Sequence, residues 1–200
     1  MCRRDGVKLF LKGSRCDTPK CAIERRNSPP GMSQSRRSKL TDYGVHLREK
    51  QKVKHYYGVL ERQFRKYFAR AERTKGNTGD VLMSLLERRL DNIVHRLGFA
   101  LSRSAARQLV GHGHITVNGR KLDISSYLVQ AGDVVRVKNR GNSLDLARGA
   151  MAESGRSVPD FLSVAGGENQ IPEGVVGRLP LAEDVSLPIQ TQLIVELCSR

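Results

Sequence analysis

An α+β protein is predicted, with a basic, irregular N-terminal arm and a helical domain. Into the latter is inserted a small unit of two helices and an antiparallel sheet, and a C-terminal segment returns to the helical domain. Three observations predict this. Residues 1–40 defeat any periodicity, interrupted by Gly6, Gly13, Pro19, "NSPPG" (27–31) and "SQSRRSK" (33–39). From about 40 to 111, apolar residues recur every three to four positions. Across 114–137 the spacing switches to alternation around an Asn-Gly pair.

Taken in order, the arm alone reads as disordered, and something outside it is expected to order it. Thr41 or Asp42 can cap a first helix, whose sparse apolar stripe is Val45 and Leu47 to Val53. Tyr57, Leu60, Phe64, Tyr67 or Phe68, and Ala71 mark a second; its other face carries Arg62, Arg65, Lys66, Arg70 and Arg73, and "GNTG" (76–79) breaks it. A third has Asp80 at its N-cap and one broad face through Leu82, Leu85, Leu86, Leu90, Ile93, Val94 and Leu97, stopping at Gly98. Ser102 caps a short fourth, which ends at Gly111. "HITVNGRKL" (114–122) is strand, turn, strand, and "YLVQAGDVVRV" (127–137) adds two short apolar runs. The tail offers a helix over 143–153, a Gly/Pro-rich stretch, and "QLIVEL" (192–197), which reads as a strand returning to a core.

Charge points to the partner. The chain carries 35 Lys and Arg against 20 Asp and Glu, a net of +15. Residues 1–80 hold 21 basic and 8 acidic side chains, residues 81–138 hold 9 and 4, and residues 139–200 hold 5 and 8. The positive field thus belongs to the first two-thirds, where self-repulsion is costly without a polyanion, and nucleic acid is the leading candidate. An anionic membrane surface and a solvated basic face are the alternatives. Hydrophobic residues make up 38% and aromatics 5%, with no tryptophan, which suits a lean, surface-heavy protein better than a large-cored enzyme.

Other classes are disfavoured. No run of about 18 apolar residues offers a transmembrane helix, and no apolar core precedes a small-residue cleavage site, so no signal peptide is expected. A cytosolic chain keeps thiols reduced, which leaves Cys2, Cys16, Cys21 and Cys198 as metal ligands or free thiols. No GxSxG, P-loop or HExxH motif is present. His112 and His114, two apart with no nearby carboxylate or cysteine, make a poor metal site; at least one is expected to be an RNA or helix-terminus contact. Tyr56, Tyr57, Phe64, Tyr67 and Phe68 could stack on bases, but their helical spacing makes most of them core.

The helix-helix-hairpin block is the most informative. Arg88, Arg89, Arg96, Arg103 and Arg107 lie off its apolar stripes, and Arg120 and Lys121 follow its turn. Such a frame can hold guanidinium groups, whose planar forks bond phosphate bidentately, at phosphate spacing. "RLDNIVHRLGF", "SRSAARQLV" and "GHITVNG" resemble the small αL-type RNA-binding module shared by a small-subunit ribosomal protein, some pseudouridine synthases, tyrosyl-tRNA synthetases and a heat-shock RNA binder. A pseudouridine synthase would need a catalytic domain beyond Lys138, where only 62 residues remain. The flanks "GVKLFLKGSRC", "PKCAIERR", "REKQKVKHYYGVLERQFRKYF" and "LIVEL" are similar to the family of bacterial small-subunit ribosomal protein four, essentially end to end.

That resemblance implies a non-enzymatic, primary binder of the 5′ region of small-subunit ribosomal RNA, acting early in assembly. It further implies small-subunit protein five as a neighbour, a position at the mRNA entry side, a role in accuracy, and no membrane. The implied organisation is an arm over 1–40 and a helical domain over 41–87 completed by about 185–200. An RNA-binding module follows over 88–138, and a helix with a Gly/Pro-rich connection over 139–184. The RNA-facing side chains expected from charge and resemblance are Lys8, Lys12, Arg25, Arg26, Arg36, Arg37 and Lys39 in the arm. Arg48, Lys50, Lys52, Lys54, Arg62, Arg65 and Lys66 follow in the helical domain, then Arg88, Arg89, Arg96, Arg103, Arg107, His114, Asn118, Arg120 and Lys121 in the module. Where relatives often carry a PPGQHG-like stretch, this chain has "PPGMSQS" (29–35), a departure from the family's pattern, so an RNA contact from a Gln-His pair is not carried over there.

Zinc-bearing members of that family space four cysteines as C-x2-C-x13-C-x4-C. Cys2, Cys16 and Cys21 match three positions, and the fourth would lie three residues before Cys2, upstream of Met1. Three readings stay open. Met1 is internal to a longer chain whose extra cysteine completes a structural zinc site; or the three cysteines are a remnant, closed weakly by water or by Asp5 or Asp17; or they are free thiols. Cys198 reads as a small, semi-exposed residue and not a ligand.

Overall fold

In the computed structural model, residues 1–31, 40–155, 157–165 and 170–199 are described. Residues 1–31 of the arm, which read as disordered from composition, carry regular structure of their own. The arm folds into α1 (Cys2–Asp5), a 3₁₀ turn (Gly13–Asp17) and α2 (Ala22–Arg25). Leu9, fully buried, anchors it among Val53, Tyr57, Phe64 and Leu86 of the helical domain. Within the arm, Arg3 donates to the carbonyls of Ser28 and Pro29 and Lys8 pairs with Glu24, while Asp5 meets His55 of α3 at 2.9 Å and adds a polar clamp to the docking. Hydrophobic periodicity cannot show one leucine reaching across forty residues of sequence.

The helical domain comprises α3 (Asp42–Tyr57), α4 (Glu61–Glu72) and α5 (Thr78–Glu87), completed by a C-terminal helix. Thr41 caps α3 by accepting from the Gly44 N–H. Asn77, not Asp80, caps α5 through the Gly79 N–H, so that helix starts earlier than read. All five aromatics of residues 56–68 are core. The tail departs from its reading: "QLIVEL" is helix (Thr191–Cys198), not strand. A short apolar run fits either state by pattern alone; here the segment packs against α3 and α5, with Ile194 fully buried.

The second core starts where the third sequence-read helix breaks. One helix was expected from 80 to 97, but α5 stops at Glu87 and α6 (Leu90–Arg96) starts anew, with Arg89 extended between them. The 127–130 segment, read as a strand of the sheet, causes the break. It hydrogen-bonds the backbone of 88–90 instead: Val129 N–H to the Arg88 carbonyl at 3.0 Å, and Leu90 N–H to the Tyr127 carbonyl at 2.9 Å. Beyond α6 come α7 (Arg103–Gly111), β1 (Ile115–Val117), β2 (Arg120–Lys121), β3 (Val134–Val137), α8 (Gly141–Ser154), β4 (Leu162–Ala165) and β5 (Glu173–Val176). Ser102 caps α7, and Asn118 and Gly119, both at positive φ, close the hairpin as the sequence predicts.

Among the described residues the sheet is antiparallel, in the order β2-β1-β3-β5-β4. Its register pairs Ile115 with Val137 and Val117 with Val135, so all four face one core with Phe99, Val110 and Phe161. The stretch expected to be a Gly/Pro-rich connection supplies β4 and β5, which the scarcity of alternating apolar residues hid. We predict that Leu9→Ala lowers the unfolding free energy of the RNA-free protein by about 2–5 kcal/mol. Denaturant titration measures this, and a loss below about 0.5 kcal/mol would mean that the arm does not belong to the core.

Candidate nucleic-acid interface

Between the two apolar cores lies a polar seam built from α3, α5, α6 and α7. Glu87, fully buried, accepts from Tyr57 Oη at 2.6 Å, Asn92 Nδ2 at 2.7 Å and Arg96 Nη2 at 2.9 Å. Asp91, four residues on, accepts a bidentate pair from Arg89 at 3.0 and 2.6 Å and a further bond from Arg107 at 2.6 Å. Arg107 also donates to the carbonyls of Tyr57 and Gly58 at the end of α3, placing a cation where the helix dipole is negative. Gly58 adopts φ 62°, which terminates α3 and lets that guanidinium approach. Arg103 donates to Asn92 Oδ1 at 2.8 Å and lies 3.7 Å over the Tyr56 ring.

Electrostatics follow burial. Burial alone lowers the pKa of Arg96, but Glu87 overrides it and raises the value; Asp91 does the same for Arg89. Burial, helped by the Glu87 charge, pushes the Tyr57 phenol well above its usual range, so it stays a donor.

The basic side chains expected to face RNA therefore divide. Arg89 and Arg103 are buried, and Arg96 and Arg107 are committed to Glu87 and Asp91; lying off an apolar stripe made them polar without making them accessible. Asn118 is likewise spent, donating to Asp133 and accepting from the Val134 N–H, so it fixes the hairpin. His114 contacts Ser143 Oγ at 2.8 Å, and burial followed by neighbouring His112, Arg140 and Lys138 lowers its pKa. Lys8 pairs with Glu24, Lys52 with Glu49, and Lys50, Lys54 and Arg65 with Glu61. Arg36, Arg37 and Lys39 lie outside the described residues.

What remains is an outward-facing set without an ion-pair partner among the described residues. Lys12, Arg25 and Arg26 belong to the arm, Arg48, Arg62 and Lys66 to α3 and α4, and Arg120 and Lys121 to the hairpin, all exposed. Half-buried Arg88 joins them, donating to the Val129 carbonyl. Arg70, read from sequence as part of the basic face of the second helix but not among the RNA-facing side chains, lies one turn after Lys66 on the same face of α4. Sequence reasoning missed the seam's anchors Glu87, Asp91 and Asn92. A buried acid in an apolar stripe was the available signal for those anchors.

Cys16 and Cys21, buried, and Cys2, half-buried, line one cavity of about 370 Å³ with Leu11, Ile23 and Pro30. The Lys12 N–H points at Cys16 Sγ, 3.4 Å away. Among the described residues, however, no three Cys, His, Asp or Glu side chains converge closely enough to hold a metal, and Asp5 turns to His55. The residues present do not fit a tetrahedral zinc. Cys198 is half-buried, and burial raises its thiol pKa.

Residues 1–87 match the family model for the ribosomal protein S4/S9 N-terminal domain, and residues 88–135 match that for the S4 domain. Similarity to characterised proteins spans the chain. It is 54% identical over 200 residues to small ribosomal subunit protein uS4 of Thermoanaerobacter sp. (strain X514), covering 100% of this chain and 95% of that one. The uS4 proteins of Thermodesulfovibrio yellowstonii and Geobacter sulfurreducens are 52% and 53% identical over 201 residues, with the same coverage.

Glu61 makes part of this arrangement pH-dependent. Burial disfavours its ionisation, but hydrogen bonds from Lys50, Lys54 and Arg65 prevail and hold its carboxyl at about 2. A carboxyl held lower in the folded state than its unfolded value of 4.5 stabilises the protein above pH 4.5, and that contribution is lost as pH falls towards 2. Glu61→Gln is therefore expected to be less stable than the parent at pH 7 and to converge with it near pH 2. Parallel unfolding curves across that range would show that the cluster contributes nothing.

Proposed function

The chain belongs to the family of small ribosomal subunit protein uS4, structural and non-enzymatic components of the ribosome, and from that premise we propose that it is a primary binder of small-subunit ribosomal RNA. Its place is on the ribosome, in the cytoplasm. It binds the 5′ region of that RNA, fixes the geometry of a helical junction and so nucleates assembly of the subunit body. Its neighbour is small-subunit protein five, and its position at the mRNA entry side bears on translational accuracy.

The observation that carries this reading is the division of labour among the cations. Four arginines against two carboxylates lock the seam, while Lys12, Arg48, Arg62, Arg120 and Lys121 project outward with no acid in ion-pair contact among the described residues. A rigid frame presenting unneutralised cations binds phosphate by counterion release, and recognises a junction by its shape.

Filter-binding titration against the 5′ fragment of its own organism's small-subunit rRNA, over a salt series, tests the reading. Tight, salt-dependent binding is expected, preferred over unrelated duplex RNA. Arg120→Ala is expected to reduce the log–log salt slope by about one. Equal affinity for unrelated duplex at every salt concentration would overturn the reading.

A further inference from the structure

One cleft is not used by the seam and is too charged for an apolar ligand. It has a volume of about 470 Å³ and lies where α4 of the helical domain faces the 126–130 segment of the module. Lys66 and Arg70 line it from α4, and Arg88 lines it from the break between α5 and α6; Gln63, Tyr127 and Gln130 add neutral polar groups. Three cations thus share one concavity, and no carboxylate among the described residues lies in ion-pair contact with any of them.

The nearest acid influencing Arg88 is Asp133, which is already engaged: Asn118 Nδ2 donates to it at 2.8 Å and the Gln130 N–H at 2.7 Å. Arg88 spends its Nε on the Val129 carbonyl at 2.9 Å, while its Nη groups have no hydrogen-bond partner among the described residues. Burial and then the Arg70 charge both disfavour the Arg88 cation, which marks a like-charge arrangement that an anion would relieve. A concavity of this size has ample room for a phosphate group. Planar guanidinium groups give it bidentate bonding, and Lys66 supplies a point charge.

We propose that this cleft is a seat for a phosphodiester of the bound RNA strand, gripped from both modules at once by Lys66, Arg70 and Arg88. The inference rests on the rRNA-binding reading and deepens it. One wall is α4 of the helical domain and the other is the 126–130 segment, whose Tyr127 and Val129 belong to the module core while Leu128 packs on the helical domain, so a phosphate held there ties both modules to one point on the strand. Exposed arginines elsewhere on α4, such as Arg62, meet phosphate from one module only.

NMR on the full chain tests this in two arms. In the first, inorganic phosphate is titrated while the Nε–H signals of Arg70 and Arg88 and the amides of 126–130 are followed. Saturable shifts are expected, lost in K66Q/R70Q and retained in the charge-matched R62Q/R73Q. Both pairs are solvent-exposed, so neither threatens the fold. In the second arm the rRNA 5′ fragment replaces phosphate. The Arg88 Nε–H and the same amides are expected to shift again, and K66Q/R70Q is expected to reduce the salt slope by about two. Parent protein that fails to bind the fragment overturns the rRNA reading and this inference with it. Binding of the fragment that leaves these signals unmoved, or equal phosphate shifts in both double variants, overturns the seat alone. Phosphate saturation without a response to the fragment overturns RNA as its source.

Discussion

Two carboxylates on either side of the break between α5 and α6, Glu87 and Asp91, are sealed from water, and the seam is arranged around keeping them paired. A buried carboxylate without partners costs several kcal/mol, and removing one member of a buried pair typically costs about 3–5 kcal/mol. Here every partner is an arginine, a tyrosine or an asparagine, so both oxygens of each acid are occupied. Lysine would not serve: a point charge can neutralise Asp91 but cannot also reach the carbonyls that end α3, as the Arg107 fork does. The seam thereby lies between the two apolar cores and ties them together.

Its second consequence is electrostatic. Four guanidinium groups against two carboxylates leave the seam positive, so the frame reinforces the field of the surface it supports. Outside it, acids are used sparingly. Glu61 alone gathers Lys50, Lys54 and Arg65 at the start of α4. Farther along that helix Lys66 and Arg70 have no ion-pair partner among the described residues. The protein thus tolerates repulsion on one face while neutralising its interior, an arrangement suited to a polyanionic partner.

Local signals were readable in the sequence where the structure is local. The Ser102 cap, α7, the Asn-Gly hairpin and the aromatic core of α4 all follow from spacing and capping chemistry within a dozen residues. Where a distant segment decides, the sequence pattern misleads. The 127–130 segment interrupts what reads as one helix, the C-terminal segment Thr191–Cys198 is a helix packed on α3 and α5, and Leu9 anchors an arm that looks structureless. The interface was half legible for the same reason. Charge and spacing marked the arginines as polar, but only the buried Glu87 and Asp91, invisible to a charge count, decide which of them turn inward.

The central claim is that the seam makes the two cores one cooperative unit. Native-state hydrogen exchange on the parent and on Glu87→Gln tests it most directly, with amides of α3 reporting one core and amides of α7 and β1 the other. The account predicts a shared opening free energy for the slowest amides of both cores in the parent. In the variant the two values should separate, the helical domain opening on its own. Separate values in the parent, or a single shared value that survives the substitution, would contradict it.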